Sequence, residues 1–448
     1  MQNIVRSFLV FLLFLLPLAA YAHNRVVVVP LSGDDIEPLS NIVTVAKRNG
    51  DFSNPLAAMA SITDASASNP YLIVIAPGVY NLDGQLVMKE FVNIAGSGKE
   101  VTTLTGNVST TSVETAALVV AANNVSIQDL KIVNNGTGGL FSTTIFSGGS
   151  NINLSNVELD ANNSIATAIR GNNGCRYQLN DVEINMPRRS SSVEEGIRLE
   201  NCTINMQGGS INISSDGSTN TDNVTGVFLD GPRDAVISNV DMRIVGGNSV
   251  NSEVIGLRIV GDGSAINEFP SIRLSDLKLN MVSFGSPIGV DVQGNGSAIT
   301  IDAMHMQILT NGGGLGYESV DMNTTISNST IIVQGQGGDI VGISQFATPN
   351  GSDSFSILST NVLLAATGPV GSVGVENLGV GSNQTMIVRD SRIEADTSIQ
   401  AQGNAPNNRT YVSDSIISGN VVGEPICDFV FTTIGQSLDN NCGVPQSQ

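Results

Sequence analysis

Apolar residues recur in a fixed pattern along most of this chain, at intervals of about 28 residues. Clear copies of the pattern begin at Val125, Ile152, Tyr177, Ala235, Ile272 and Ile299, and weaker copies begin at Ile204, Thr324, Phe355, Met386 and Thr410. With the first residue counted as zero, positions two and seven are apolar in every copy. Apolar residues that alternate with polar ones in this way are typical of short strands.

Position four of the pattern is Asp or Asn in eight copies, namely Asp129, Asn156, Asp181, Asn239, Asp276, Asn328, Asp390 and Asp414. Asp and Asn side chains cap the local backbone and tolerate left-handed backbone angles. The pattern therefore predicts two short strands joined by a bend in each copy.

A third strand is indicated in most copies by a glycine that precedes an apolar residue. These glycines are Gly196, Gly226, Gly256, Gly289, Gly316, Gly342 and Gly374, and Ala168 takes their place one copy earlier. No period near 3.6 accompanies the repeat, which excludes helical solenoids. Three short strands per repeat predict an all-β fold, a single-stranded right-handed parallel β-helix.

The cysteines agree with this register. Cys175 and Cys202 each stand two residues before the start of a copy, so they are predicted to be stacked neighbours at a distance that a disulfide can bridge. Cys427 and Cys442 lie beyond the last copy and are predicted to close a C-terminal cap over residues 421–448.

The segment before the repeats is predicted to cover the other end of the solenoid. Asn54 suits a helix N-cap and Pro55 the first helical turn. A stripe of Leu56, Met59, Ala60 and Thr63 extends the predicted capping helix over about residues 54–66, within N-terminal coils at 23–124. The repeats themselves are assigned to residues 125–420.

The first 22 residues have the features of an export signal. Arg6 precedes a long apolar run, and Ala20-Tyr21-Ala22 forms a small-x-small cleavage pattern. Cleavage after Ala22 predicts a secreted or periplasmic protein with no membrane span in the mature chain. The net charge of −20 opposes binding to nucleic acid or anionic membranes.

Residues 50–98 resemble the N-terminal part of the pectinesterase family, whose fold is the pectin-lyase-like β-helix. The shared features are Asp51-Phe52, the capping segment, an apolar strand, Pro-Gly-x-Tyr ending at Tyr80, and Gly-Ser-Gly at 96–98. The resemblance implies the scaffold. It would also imply a Glu two residues after Tyr80 and an Arg-Pro-Trp segment, but Leu82 stands at the first place and the chain has no Trp.

Four other groups are candidates for chemistry. Asp428 lies in a segment similar to the nucleophile region of that family, but past the last copy, where a cap is expected. Asp222 ends an Asn-Thr-Asp triplet like the first acidic motif of polygalacturonases. Glu158 and Glu183 are predicted to be neighbours, either as a glycosidase pair or as part of a charged face. His305 is predicted to point outward, and no metal site or cofactor is predicted.

A binding strip is predicted two residues after the glycines, where successive copies carry Arg170, Arg198, Phe228, Arg258, Asp291, Glu318, Ser344 and Glu376. The first four form the candidate binding site, because guanidinium groups match carboxylates or sulfates. The predicted ligand is a linear anionic polysaccharide. The alternative is that Glu194, Glu195 and Glu200 neutralise these arginines locally.

Together these features favour an exported, non-catalytic β-helix that binds or displays at the cell exterior. The alternative is a carbohydrate-active enzyme, an esterase, lyase or glycoside hydrolase, with an unrecognised site.

Overall fold

The computed structural model describes residues 41–443 except 113–114, 137–139, 164, 190–192, 216–222, 247–251, 262–270, 295–297, 348–354, 380–383 and 402–407. The predicted export signal and Asp222 lie outside the described residues. None of the described helices is long and apolar enough to cross a membrane.

The described residues form one helix and a long series of short strands. The helix is α1 (Pro55–Ser61). The strands of the first half are β1 (Asn41–Val45), β2 (Tyr71–Ile75), β3 (Gly78–Leu82), β4 (Leu86–Val87), β5 (Val92–Ala95), β6 (Thr102–Gly106), β7 (Ala117–Val120), β8 (Val125–Asn134), β9 (Phe141–Gly148), β10 (Asn151–Ala161), β11 (Ile165–Asn172), β12 (Arg176–Arg189), β13 (Val193–Glu200), β14 (Thr203–Ser215), β15 (Asn223–Asp230), β16 (Asp234–Ser238), β17 (Asp241–Gly246) and β18 (Val254–Val260).

The second half continues with strands of similar length. They are β19 (Ser271–Ser275), β20 (Lys278–Ser283), β21 (Ile288–Gln293), β22 (Ala298–Asp302), β23 (His305–Thr310), β24 (Gly314–Val320), β25 (Asn323–Ser327), β26 (Thr330–Gly335), β27 (Ile340–Ala347), β28 (Phe355–Thr360), β29 (Leu363–Thr367), β30 (Ser372–Gly379), β31 (Gln384–Arg389), β32 (Arg392–Ala401), β33 (Arg409–Ser413), β34 (Ile416–Gly423), β35 (Ile426–Asp428) and β36 (Phe431–Thr432).

These strands stack in parallel into three ladders, which confirms the predicted parallel β-solenoid. The first ladder consists of β1, β2, β5, β8, β10, β12, β14, β16, β19, β22, β25, β28, β31, β33 and β35. The second consists of β3, β6, β8, β10, β12, β14, β17, β20, β23, β26, β29, β32, β34 and β36. The third consists of β4, β7, β9, β11, β13, β15, β18, β21, β24, β27, β30, β32 and β34.

The bend between the first and second ladders lies at the predicted position. All eight Asp and Asn residues at position four have φ between 49° and 55°, in the left-handed region. Gly208 (φ 71°) and Ala303 (φ 54°) take this place in the two copies that begin at Ile204 and Ile299. Stacked bend side chains also bond to each other, since Asn156 Nδ2 donates to Asp129 Oδ1 at 2.6 Å.

One copy is out of the predicted register by two residues. The structure pairs Thr324 with Ile357 and Ile357 with Met386, so this copy begins at Ile357 and not at Phe355. Its bend residue is Asn361, with φ 54°. Alternation with period two fits either register, and the bend decides between them.

The corrected register changes one statement of the sequence pattern, that position two is apolar in every copy. Position two of this copy is Ser359, which is buried although it is polar, and position seven is Leu364. Position six of this copy is Leu363, which lies in the row of His305 on the second ladder. His305 itself is exposed, as predicted.

The capping helix begins where predicted and ends earlier. Asn54 Oδ1 accepts a hydrogen bond from Leu56 N at 2.8 Å, and Pro55 lies in the first turn. The helix ends at Ser61, because Ile62 has an extended backbone. The buried stripe is Pro55, Ala58, Met59 and Ile62. The prediction that Ala60 and Thr63 belong to this stripe is wrong, because both residues are exposed.

Both predicted disulfides are present. Cys175 and Cys202 are bonded with their Cα atoms 4.7 Å apart, as expected for neighbouring coils. Cys427 and Cys442 are bonded at a Cα separation of 5.2 Å and join β35 to the last described segment. There, Cys427 N donates to Asn440 O at 2.9 Å, so the cap pairs part of the outer strand edge.

Candidate functional site

The candidate binding strip lies on the third ladder as one continuous row, here named the outer row. It consists of Arg170, Arg198, Phe228, Arg258, Asp291, Glu318, Ser344 and Glu376, each paired in register with the next. Neighbours in this row are about 4.8 Å apart along the stack. The strand register therefore gives the outer row the spacing of the coils themselves.

The glycines explain why the outer row stands away from the core. A Cβ atom on Gly256 would lie 2.4 Å from Gly289 O of the next coil, and the same clash recurs at the other glycines of the ladder. The glycine and the apolar residue after it are both buried, and the outer-row residue that follows is partly buried except at Asp291 and Ser344, which are buried. Two consecutive buried residues in each coil thus shift the alternation of inward and outward residues, so that the outer row faces outward.

Two arginines of the outer row share a pair of glutamates. Arg198 Nη1 lies 2.8 Å from Glu195 Oε1, and Arg198 Nε lies 3.1 Å from Glu200 Oε1. Arg170 Nη2 lies 3.3 Å from the same Glu200 oxygen, and Arg170 Nη1 lies 3.9 Å from Glu195 Oε2. Glu195 and Glu200 therefore neutralise these arginines, as the alternative interpretation of the sequence expected.

Arg258 forms a second group of ion pairs. Its Nε donates to Asp291 Oδ2 at 2.7 Å, and its Nη2 donates to Glu253 Oε1 at 2.6 Å. The Asp291 side chain is 0% exposed and also accepts from Gln293 Nε2 at 3.0 and 3.1 Å. A buried carboxylate of this kind requires such partners.

The aromatic member of the row is part of the same arrangement. The Arg198 guanidinium lies over the Phe228 ring, with Cζ 4.5 Å from the ring centroid. A cation held over an aromatic face is attracted by the quadrupole of the ring. Phe228 therefore positions Arg198 in addition to its glutamate partners.

The charges of the row shift several pKa values. Burial lowers the pKa of Arg170, and Glu195 offsets part of that effect. Burial alone would lower the pKa of Arg198, but Glu195 and Glu200 together raise it. Burial raises the pKa of Glu318, and the nearby charge of Asp291 raises it further. Burial also raises the pKa of Glu376, and a hydrogen bond from Ser344 partly offsets this.

Glu318→Gln is expected to stabilise the protein at pH 7 and to lose that advantage in acid. The folded-state pKa of Glu318 lies above its unfolded value, so its ionisation costs stability as the pH rises through the folded-state pKa. Below the ordinary glutamate pKa of about 4.3 both states are protonated and the difference disappears. Melting temperatures of both proteins between pH 3 and 7 measure this.

The matched control is Glu100→Gln, at an exposed glutamate outside the row. A gain for Glu318→Gln that grows as the pH falls would contradict the assigned direction of the shift.

The other candidates are dispersed over the structure. Glu158 and Glu183 are register neighbours as predicted, but Lys131 Nζ lies 2.7 Å from Glu158 Oε1 and Lys99 Nζ lies 2.6 Å from Glu183 Oε1. These contacts fit a paired charged face. Asp428 is exposed in the C-terminal cap. Among the described residues no group of three or more His, Cys, Asp or Glu could hold a metal ion.

Two partners of the arginines were not identified from the sequence. Asp291 stands in the predicted row directly after Arg258, so the register alone could have paired them. Glu253 lies five residues before Arg258, on the other side of Gly256 in the chain, and no periodic signal connects the two. Glu194, which was expected to neutralise the strip, is buried at 1% exposure.

No protein-family model and no curated protein matches this sequence significantly. Solved structures similar to this chain include a pectin methylesterase from Erwinia chrysanthemi, with 11% identity over 57% of this chain and 90% of that chain and a TM-score of 0.37. A GH87 α-1,3-glucanase catalytic domain in complex with tetrasaccharides has 13% identity over 91% of this chain and 70% of that chain, with a TM-score of 0.45.

The A-module of a mannuronan C-5 epimerase from Azotobacter vinelandii has 13% identity over 85% of this chain and 96% of that chain, with a TM-score of 0.36. Pectin methylesterases are thus among the solved structures that this chain resembles, as its N-terminal motifs predicted. At these identities and TM-scores the likeness gives no information about activity.

Proposed function

We propose that this chain is an exported, non-catalytic β-solenoid that binds a linear polysaccharide along the outer row of its third ladder. The observation that carries the proposal is the continuous row itself, in which polar side chains and Phe228 recur at the spacing of the coils. A linear polymer of repeating sugars can meet the same kind of group at each step along such a row.

The ion pairs leave donors for a ligand. A guanidinium group has five N–H donors. Arg198 bonds through Nε and Nη1, and Arg258 through Nε and Nη2, so Arg198 Nη2 and Arg258 Nη1 have no partner among the described residues. Such donors suit carboxylate or sulfate groups, which favours an anionic polymer. The surrounding glutamates hold the arginines in fixed orientations.

Removing two of these arginines is expected to weaken binding. In Arg170→Gln/Arg198→Gln, the dissociation constant for polygalacturonate or alginate should rise roughly ten-fold or more, because charge-assisted hydrogen bonds are lost. Affinity electrophoresis or calorimetry measures this at fixed ionic strength. Arg258 is left in place because it stabilises buried Asp291.

The matched control is Arg243→Gln/Arg273→Gln, which removes the same charge at exposed positions on β17 and β19, outside the third ladder. Equal weakening by both double variants would show a general charge effect and contradict the outer row as the site. If the protein binds neutral glucans as well as anionic polymers, only the proposal that the ligand is anionic is contradicted.

The second candidate function is a carbohydrate-active enzyme. The observation that favours it is the raised pKa of Glu318 and Glu376, a property of carboxyl groups that act as general acids. Product release from pectin, polygalacturonate or alginate by the purified protein would support it, provided that Glu318→Gln or Glu376→Gln abolishes the release. Absence of any release from these substrates supports the non-catalytic function.

A further inference from the structure

An inward row of the third ladder changes from aliphatic to polar near the C-terminal end. Three residues after the glycines, successive coils carry Leu199, Leu229, Ile259, Val292, Ser319, Gln345 and Asn377, and the row continues through Ala401 on β32 to Gly423 on β34. The first four are buried aliphatic side chains, as a solenoid core requires. The amides at Gln345 and Asn377 replace them at equally buried places.

These amides have unsatisfied polar atoms. Gln345 is 1% exposed, Asn377 2% and Gln384 0%. Within the part of the chain that the structure describes, no hydrogen-bond partner is present for Nε2 and Oε1 of Gln345, Nε2 and Oε1 of Gln384, Oδ1 of Asn377 or Nδ2 of Asn408. A buried amide group left in this state destabilises the folded protein, because it has given up its hydrogen bonds to water without a replacement.

The four amides belong to one connected region, here named the amide cluster. Gln345 and Asn377 are register neighbours on β27 and β30. Asn377 Nδ2 donates to Thr410 Oγ1 at 3.1 Å, and Gln384 N donates to Asn408 Oδ1 at 3.2 Å. Asn408 and Thr410 are two residues apart, so these contacts link β27, β30, β31 and β33 around one part of the core.

The unsatisfied atoms include both donors and acceptors. A cation would satisfy the oxygens and face the NH2 groups unfavourably, and an anion would do the reverse. Gln345 and Gln384 each have both atoms unsatisfied, so exchanging O and N in either amide leaves the same mixture. Water both donates and accepts, and buried waters bind where polar groups lack partners.

We propose that the amide cluster is an internal hydration site, in which ordered water molecules bridge Gln345, Asn377, Gln384 and Asn408 inside the solenoid. Since a buried water forms about three hydrogen bonds, the six unsatisfied atoms call for about two waters. The aliphatic part of the same row, from Leu199 to Val292, has no corresponding site among the described residues.

A high-resolution crystal structure of the protein tests the proposal directly. We expect ordered waters within hydrogen-bonding distance of Gln345 and Gln384, and none beside Leu229 or Ile259. Direct amide–amide hydrogen bonds with no water between them would overturn the proposal.

A mutational cycle gives a second test. Met is apolar and close to Gln in size, so Gln345→Met and Gln384→Met should each lower the midpoint of urea unfolding by leaving the waters with fewer partners. In the double variant the urea midpoint should fall by less than the sum of the two single shifts. The reason is that the first substitution already disturbs the water that both glutamines share, so the second has less to remove. Gln334→Met, at an exposed glutamine on β26, is the control and should leave the midpoint unchanged.

If both single variants leave the urea midpoint unchanged or raise it, and their effects add in the double variant, the amides hold no shared water. Should either variant fail to fold, the crystal structure of the unaltered protein decides the question.

Discussion

Gly256→Ala is expected to lower the free energy of unfolding by about 3 kcal/mol or more, although it adds a single methyl group. The new Cβ would lie 2.4 Å from Gly289 O and 2.6 Å from a methyl carbon of Leu279. The carbonyl oxygen belongs to the backbone of the next coil and cannot move without disturbing the ladder. Thermal and urea denaturation followed by circular dichroism would measure the loss.

Gly84→Ala is the matched control for this substitution. No atom lies within 4 Å of a Cβ at Gly84, so this variant should keep the stability of the parent protein. An equal melting temperature for Gly256→Ala and the parent would mean that the coils can separate at the glycines. The close stacking of the coils, from which the position of the outer row follows, would then be contradicted.

Arg258→Met is expected to destabilise the protein by about 3 kcal/mol at pH 7. The reason is Asp291, whose side chain is fully buried and would lose the Arg258 Nε donor that now lies 2.7 Å from Oδ2. Methionine retains much of the apolar packing of the arginine stem. Urea denaturation at pH 7 would measure the change.

The double variant Arg258→Met/Asp291→Asn separates this effect from a general loss of packing. It removes the buried charge together with its partner, so most of the lost stability should return. Arg243→Met, at an exposed arginine of β17, should have little effect. If the double variant is as unstable as the single one, the ion pair is not the reason for the loss.

The bends illustrate what could be predicted from single residues. Asp129 and Asn156 were identified because Asp and Asn favour left-handed backbone angles, and both have positive φ. Ala303 has the same conformation without such a side chain, so its own identity gives no signal. It adopts φ 54° because the coils on both sides fix its place in the stack.

The shifted copy illustrates a limit of periodicity. An alternating strand has the same pattern after a shift of two residues, and therefore Phe355 and Ile357 both fit as its first residue. Hydrogen-bonded pairing with Thr324 and Met386 removes this ambiguity. The predicted buried stripe of α1 was incorrect for a similar reason. Ala58 and Ile62 are buried because of the strands that α1 packs against, and the helical period alone does not show which face meets them.

The candidate site was predictable as a row and not as a set of contacts. Equal spacing along the chain placed Arg170, Arg198 and Arg258 on one face. It could not show that Glu253 forms an ion pair with Arg258, or that the Asp291 side chain is completely buried. Such facts depend on side-chain direction and on the local course of the backbone.

Residue types and their spacing along the chain were enough to predict the parallel solenoid, its coil boundaries in all copies but one, both disulfides and the order of side chains along the outer row. A regular stack converts spacing along the chain directly into position in space, which is why these features follow from periodicity. The folded structure was needed to show which charges are paired, which pKa values are shifted and which buried amides lack partners. These properties depend on distances between groups on different strands, and sequence spacing does not fix those distances.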